Sequence, residues 1–336
     1  MTSPPLVFVV GTGRCGSTAL SEILRRHPSV LSLSELFAAL YPGGLPEEPL
    51  DGAEFWRMLA EPPHFGNRLI RDGTPLPEHL YPHMPGRFTA SDGIPALSLT
   101  TLPHLSPDPD ALFDALRPAL TGRPRGPVAG HYRALFAALA ARCGGRLVVE
   151  RSGYSLNRVS LLHRHFPEAH FLHLYRDGPD CAVSMSRHPG FRFVRLMADL
   201  AGELGPEKAA AQVGRLLSDE SRPLTEALSG RVPVERFGTL WSEAITEGLA
   251  QLDALPTGTH TALAYEDLLD APAGELTRLA GLWGIEADPA WLAEATRLLT
   301  TDRRGTAAAL PPDRRTALRE ACAPGTRALA AHAARA

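Results

Sequence analysis

The stretch that decides the fold reads Leu6-Val7-Phe8-Val9-Val10-Gly11-Thr12-Gly13-Arg14-Cys15-Gly16-Ser17-Thr18. Five apolar residues predict a buried strand, and the glycine-rich turn at residues 11–16 leads into a helix predicted over residues 17–27. Such a turn directs several backbone N–H groups at one point and lets an anion approach the backbone closely. Two interpretations follow: a phosphate-binding turn with Arg14 as its cation, or only a tight strand-to-helix connection.

Strands and helices alternate along much of the remaining chain. Further strands are predicted at residues 30–33, 146–150, 171–175 and 261–265, and helices at residues 156–165, 179–188, 273–283 and 289–299. This alternation is typical of α/β proteins, so we predict a P-loop-like three-layer sandwich whose central parallel sheet is flanked by helices. Residues 41–130 are rich in proline and glycine, and we expect them to form a loop-and-helix insertion that acts as a substrate lid.

The overall composition limits the partners and the compartment. The chain has 34 Lys and Arg against 37 Asp and Glu, a net charge of −3, which disfavours a broad nucleic-acid or anionic-membrane surface. Its four cysteines are scattered, and no apolar run approaches the roughly 18 residues of a spanning helix. These features predict a cytoplasmic protein that binds neither nucleic acid nor membrane, and the spacing of His, Cys and carboxylates predicts no metal site.

The position of the cation separates two kinds of phosphate loop. Gly11 and Gly16 have the separation found in a nucleoside-triphosphate P-loop, but that loop requires Lys next, where this chain has Ser17. The cation is instead Arg14, inside the turn. This arrangement resembles the 5′-phosphosulfate-binding loop of sulfotransferases that use 3′-phosphoadenosine 5′-phosphosulfate (PAPS). The resemblance implies that the donor contacts Gly13, Arg14, Cys15, Gly16, Ser17 and Thr18.

A second segment supplies the other anion site that PAPS requires. A predicted strand ends in Arg176-Asp177-Gly178 and turns into a helix that carries Ser184. Arg176 and Ser184 can face one anion, with a spacing that resembles the 3′-phosphate motif of sulfotransferases; a surface pair of Arg176 with Asp177 is the alternative. The resemblance is strongest to tyrosylprotein sulfotransferases and their bacterial relatives. It implies one sulfotransferase domain over residues 1–336.

The resemblance also implies roles at the reaction centre. The separation of Glu35 from Arg14 resembles that of the catalytic Glu in the tyrosylprotein branch, so Glu35 is expected to accept the proton of the acceptor hydroxyl; a surface glutamate is the alternative. Arg14 is expected to stabilise the leaving phosphate. Arg151 stands where that branch has a Lys at the transferring group, and its alternative is an ion pair with Glu150 or another carboxylate.

A late loop offers one further donor contact. It reads Leu299-Thr300-Thr301-Asp302-Arg303-Arg304-Gly305 and matches the family's basic loop loosely. The resemblance implies that Arg303 contacts the donor, whereas a charged helix end explains the same residues without a ligand.

The resulting hypothesis is sulfuryl transfer from PAPS to a small-molecule or peptide hydroxyl. One alternative is a P-loop-type nucleotide kinase, which Ser17 in place of Lys disfavours. A catalytically silent nucleotide-binding protein is the other, and the combination of Glu35, Arg14 and Arg176 argues against it.

Overall fold

The computed structural model describes residues 4–299 and 303–335, and these form a sheet of five strands. The strands β1 to β5 are Leu6–Val10, Val30–Ser34, Leu147–Arg151, His170–Tyr175 and His260–Ala264. They lie in the order β2-β3-β1-β4-β5, and each neighbouring pair is parallel. The predicted α/β architecture, a central parallel sheet flanked by helices, is confirmed. β1, β2 and β3 are buried along their whole length, as expected for strands covered on both faces.

Helices connect and cover the strands. In chain order, α1 to α18 are Ser17–Arg25, Leu36–Ala39, Gly52–Ala60, His64–Arg71, Ala96–Leu99, Thr101–Leu105, Pro109–Thr121, Val128–Cys143, Val159–His165, Gly178–Ser186, Pro189–Leu204, Pro206–Ser218, Leu224–Ala227, Val234–Asp253, Tyr265–Asp270, Pro272–Leu282, Pro289–Leu298 and Pro312–Ala333. Short 3-10 helices lie at Tyr81–His83, Leu156–Arg158 and Thr306–Ala309. No helix within residues 4–299 and 303–335 combines the length and apolar character needed to cross a membrane.

The strand order creates a crevice beside β1. From β1 the chain passes through α1 to β2 at one edge, whereas β4, the other neighbour of β1, is followed by β5 at the opposite edge. In open α/β sheets, ligands bind outside the carboxyl ends of two strands whose connections diverge in this way. The turn after β1 and Arg176 after β4 both lie at this crevice.

Aromatic packing fixes the middle of the sheet. The ring of Phe8 on β1 lies 6.0 Å from Phe37, 5.4 Å from Phe166 and 5.6 Å from Phe171, measured between ring centroids. All four rings are buried, and burying an aromatic side chain of this size stabilises a fold by roughly 2–3 kcal/mol. This packing holds the middle of β1 against α2 and the start of β4.

Residues 41–130 contain α3 to α7 and no strand of the sheet. Helix α6 packs against β2, and Thr101 Oγ1 donates a hydrogen bond of 3.0 Å to the Ser34 carbonyl at the end of that strand. The loop before Tyr81 brings Pro77 and Glu78 to the crevice. The segment predicted to be a lid therefore contacts the carboxyl edge of the sheet.

Candidate active site

The turn after β1 has the backbone of an anion-binding loop. Gly13, Arg14 and Gly16 have φ angles of 71°, 58° and 90°. A Cβ atom at Gly16 would lie 2.1 Å from the ring of Tyr265, and one at Gly13 would lie 2.4 Å from the ring of Phe191. In the described part of the chain, no backbone carbonyl accepts a hydrogen bond from the N–H groups of residues 13–18. Such N–H groups at a helix start favour an anion.

The side chains of the turn differ in the hydrogen-bonding groups that they can present to a bound phosphate or sulfuryl group. Cys15 is fully buried, and burial raises the pKa of its thiol, so this residue can contribute only its backbone N–H. Ser17 and Thr18 begin α1 and are at least partly accessible. Their hydroxyls therefore remain candidate donors to a phosphate or sulfuryl oxygen.

A cavity of about 300 Å³ opens beside the turn. Its lining includes four residues that were predicted to bind PAPS, namely Arg14, Arg176, Ser184 and Arg303. Sequence analysis missed Arg187, which also lines the cavity, is exposed, and has no ion pair with the residues the structure describes. Its separation of three residues from Ser184, one turn of helix, is the signal that could have found it. Four guanidinium groups around one cavity favour a strongly anionic ligand.

Arg14 joins the turn to α10 and to the insertion. Its Nε donates to Ser184 Oγ at 3.1 Å, and its Nη1 lies 3.2 Å from Glu78 Oε1. The other oxygen of Glu78 lies 3.2 Å from Nε2 of His188. Burial raises the pKa of Glu78, but the hydrogen bond and charge of His188 together with the charge of Arg14 outweigh it and lower the pKa to about 2. The carboxylate of Glu78, in the insertion, thus forms an ion pair with Arg14, the cation predicted to bind the donor.

Arg176 holds the late loop at the end of β4. It donates to the carbonyl of Arg303, lies 3.4 Å from Asp180 Oδ2, and has its guanidinium 5.3 Å from the ring centroid of Tyr265. Asp180 also accepts the Gly305 N–H at 2.7 Å, which explains why Arg303 reaches the cavity. The Nε of Arg176 is buried and has no partner among the described residues. A ligand oxygen would satisfy it.

Glu35 and Arg151 meet at the ends of β2 and β3. Arg151 donates to Oε1 of Glu35 and, at 2.8 Å, to Ser34 Oγ, while the Gly153 N–H donates to Oε2 of Glu35 at 2.8 Å. Burial raises the pKa of Glu35; the charge of Arg151 opposes this effect and that of Glu78 adds to it. A raised pKa suits a carboxylate that accepts a proton near neutral pH, and each oxygen retains lone-pair capacity.

The structure therefore brings most of the predicted residues into two adjoining groups. Arg14, Ser184, Arg176 and Arg303 line the cavity, and Glu35 pairs with Arg151 at the ends of β2 and β3. The charges of Glu78, which pairs with Arg14, and of His188, which lines the cavity, act on Glu35, so the two groups lie within electrostatic range of each other. The ion pair considered for Arg151 is present, and its partner is Glu35 rather than Glu150. Thr300 and Thr301 lie outside the described residues.

Residues 128–289, in the middle and second half of the chain, match a model described as the sulfotransferase family. This segment, just under half of the chain, is similar to the sulfotransferase family. It spans β3 to β5 and includes Arg151, Arg176 and Ser184, whereas the turn after β1 and Glu35 precede it. A search of curated proteins gave no match to the chain.

Several solved sulfotransferases resemble the chain at low identity. The sulfotransferase domain of the Synechococcus PCC 7002 olefin synthase is 20% identical, covers 93% of this chain and 83% of its own, and has a TM-score of 0.44. A sulfotransferase from Alicyclobacillus acidocaldarius is 17% identical, with 98% and 96% covered and a TM-score of 0.42. Sulfotransferase STF9 from Mycobacterium avium is 14% identical, with 95% and 76% covered and a TM-score of 0.46. No residue role is transferred from these structures.

Proposed function

We propose that this protein transfers the sulfuryl group of PAPS to the hydroxyl of an acceptor. The observation that carries the proposal is a cavity lined by four arginines next to a buried carboxylate with a raised pKa. The family match over residues 128–289 supports sulfotransferase activity. The cavity provides binding for a donor with phosphate at two positions, and the carboxylate provides a proton acceptor.

We assign the two anionic ends of PAPS to the two strand ends. The turn after β1 and Arg14 bind the 5′-phosphosulfate, supported by the N–H groups of residues 13–18 that bond to no described carbonyl. Arg176 and Ser184 bind the 3′-phosphate, with Arg187 and Arg303 close enough to share its charge. The buried, unpartnered Nε of Arg176 supports this assignment.

In the proposed reaction, Glu35 accepts the proton of the acceptor hydroxyl while the acceptor oxygen attacks sulfur. The new O–S bond forms as the bond between sulfur and the bridging oxygen breaks, and the electron pair stays on the oxygen of the departing 3′-phosphoadenosine 5′-phosphate (PAP). Arg14 stabilises the charge that develops on this oxygen. Arg151 orients Glu35 and is the second candidate cation at the transferring group.

We expect the acceptor to be a small molecule or peptide that carries a hydroxyl. Residues 41–130 would cover it as a lid, within one catalytic domain over residues 1–336. The contact of Glu78 with Arg14 supports a lid role for this segment. The four cysteines are free, which suits the reducing cytoplasm.

Calorimetric titration with PAP, beside ATP with magnesium, tests the donor assignment. Tight binding of PAP and weak or no binding of ATP is expected, because the turn has Arg14 within it and Ser17 where a P-loop has Lys. Preference for ATP would contradict the proposal and favour a kinase. Binding of PAP without PAPS turnover across a broad panel of phenols and alcohols would favour the catalytically silent alternative.

A further inference from the structure

The backbone at Glu35 has a conformation that needs support from its surroundings. Glu35 has a φ of 57° and precedes the four-residue helix α2 without capping it through its side chain. Non-glycine residues with positive φ persist only where the surrounding structure holds them, and they cluster at functional sites. The first N–H groups of α2 also have no partner inside so short a helix.

Two side chains at the end of β3 provide those partners. Oε1 of Glu150 accepts the N–H of Phe37 at 3.4 Å and the hydroxyl of Ser152 at 2.6 Å. Ser152 Oγ in turn accepts the N–H of Ala38 at 3.0 Å. The backbone contributes as well, since the N–H of Glu35 donates to the carbonyl at residue 151 at 2.7 Å. The segment that carries Glu35 is therefore tied to the end of β3 through the N–H groups of Glu35, Phe37 and Ala38.

We propose that Glu150 and Ser152 are positioning residues that hold Glu35 in place for proton transfer. Neither needs to touch a substrate, because both act through the backbone of residues 35–38. The inference rests on the proposed function, which makes Glu35 the proton acceptor. It adds two residues that the sequence comparison did not assign and gives the buried carboxyl of Glu150 a role.

Glu150 is also coupled to Glu35 electrostatically, in addition to the hydrogen bonds to the backbone of α2. The pKa of Glu150 is raised to about 7, mainly by burial and also by the charge of Glu35. Hydrogen bonds from Ser152 and the N–H of Phe37, together with the charge of Arg151, oppose this rise. Tyr132 on α8 also faces Glu150. The charge of Arg151 thus acts on both buried carboxyl groups, although its guanidinium bonds to Glu35, and the ionised Glu35 raises the proton affinity of Glu150.

Other charged groups also face Glu35 and set the background for this coupling. The carboxylate of Glu78 raises the pKa of Glu35, and the imidazole of His188 lowers it. Both belong to the Arg14 side of the site and are not among the groups that shift the pKa of Glu150. A change in the Glu150 titration on replacing Glu35 therefore reports the Glu35 carboxyl itself.

The first experiment measures the Glu150 carboxyl directly and needs no acceptor. The full chain is labelled with ¹³C at glutamate Cδ, the Glu150 signal is assigned with Glu150→Gln, and its titration is compared in wild type and Glu35→Gln. Glu35→Gln removes the carboxylate charge that raises the pKa of Glu150, so that pKa is expected to fall. Glu54→Gln is the matched control, because Glu54 also accepts a backbone N–H, that of Asp51 at 2.8 Å, but lies in α3.

The second experiment separates positioning from binding. Ser152→Ala and Glu150→Ala are expected to lower PAPS turnover by about 10- to 100-fold, because misplacing a reacting group by about 1 Å has an effect of this size. PAP affinity, measured by calorimetry, is expected to stay within about twofold. Glu150→Gln is expected to restore most of the turnover, because the amide keeps an oxygen for the Phe37 N–H.

Several outcomes would overturn the inference. An unchanged Glu150 titration in Glu35→Gln, wild-type turnover in Ser152→Ala, or parallel loss of PAP affinity and turnover would each do so. If Glu150→Ala does not fold, Ser152→Ala and Glu150→Gln decide, since each preserves part of the network. Failure of the proposed function looks different, because wild type then binds no PAP while the Glu150 titration still reports whether Glu35 acts on it.

Discussion

The two sides of the crevice differ in how far their charges are already satisfied. On the side of β1 and β4, Arg14 and its partner Glu78 have side chains 23% and 18% exposed, and Arg187 has no ion pair with a described residue. On the side of β2 and β3, the side chains of Arg151 and Glu35 are only 4% and 10% exposed. On the first side, Arg14 can exchange its partner for a ligand, although Arg176 is only 5% exposed; the second side is assembled in advance. Replacing residues on the two sides should therefore affect separate measurements.

The largest effect is expected for Glu35→Gln, which removes the proton acceptor from the preassembled side. Turnover of PAPS with an acceptor found by screening should fall by about 10²- to 10⁴-fold, the usual contribution of general-base catalysis. PAP affinity should change little, because the cavity residues are untouched. Quantifying PAP release by chromatography gives the first value and calorimetry gives the second.

Glu54→Gln in α3 is the control for this prediction, since it makes the same chemical change on a carboxylate of the insertion. Retained turnover in Glu35→Gln would remove Glu35 from the reaction. An equal loss of PAP affinity would show that the two sides of the crevice do not act separately.

The second prediction concerns the stability of the preassembled side. Glu150 has an ordinary pKa of 4.5 and a folded-state pKa of about 7, so the folded protein binds more protons than the unfolded chain between these values. Its contribution to stability therefore falls as the pH rises from 4.5 to about 7. Glu150→Gln lacks this dependence. Relative to wild type, its free energy of unfolding should increase by up to about 3 kcal/mol over this interval.

Urea unfolding at several pH values between 5 and 8 checks this prediction, with Glu54→Gln as the comparison variant. Parallel stability curves for wild type and Glu150→Gln would mean that Glu150 titrates normally in the folded protein. In that case the coupling of the two buried carboxyl groups would have to be abandoned.

The sheet could be predicted from sequence because its signal is local. Short apolar runs bounded by turn residues marked each strand to within a residue or two. Two residues were placed in strands wrongly, since Arg146 precedes β3 and Tyr265 begins α15. Helix α18 was missed. It contains Pro324, and its buried residues include small ones such as Gly325, so no strong apolar periodicity marks it.

The partners inside the site were harder to predict because they depend on tertiary structure. Arg151 pairs with Glu35, 116 residues away, and not with the adjacent Glu150, since consecutive residues of a strand point to opposite faces. Glu78 lies 64 residues from Arg14 in a segment without a recognisable motif. Only the fold of the insertion brings it to the crevice.

The third prediction tests the open side of the crevice. Arg176→Ala should weaken PAP binding by roughly 10- to 100-fold, as expected when a hydrogen-bonded charge is lost. Arg176→Lys keeps the charge without the planar fork and should give an intermediate affinity. Calorimetry with PAP measures both, and Arg125→Ala is the control because Arg125 forms an exposed ion pair with Glu54 on the insertion.

Since Arg176 is buried against Asp180, thermal unfolding of each variant must accompany the binding data. Unchanged PAP affinity in a folded Arg176→Ala variant would move the 3′-phosphate away from the end of β4. The open side would then bind only one end of the donor.

The smallest effect is expected for Glu78→Gln, and its sign is the informative quantity. Glu78 is bound to Arg14 at 3.2 Å, where a ligand anion would compete with it, so neutralising Glu78 should tighten PAP binding. The pair is partly exposed, and such ion pairs contribute about 0.2–1 kcal/mol, which corresponds to an increase in affinity of about 1.4- to fivefold. Calorimetry at low and moderate salt measures it, with Asp114→Asn, which removes the exposed pair with Arg87, as control. Weaker binding of PAP would mean that Glu78 orients Arg14 for the donor instead of competing with it, and the insertion would then be part of the assembled site.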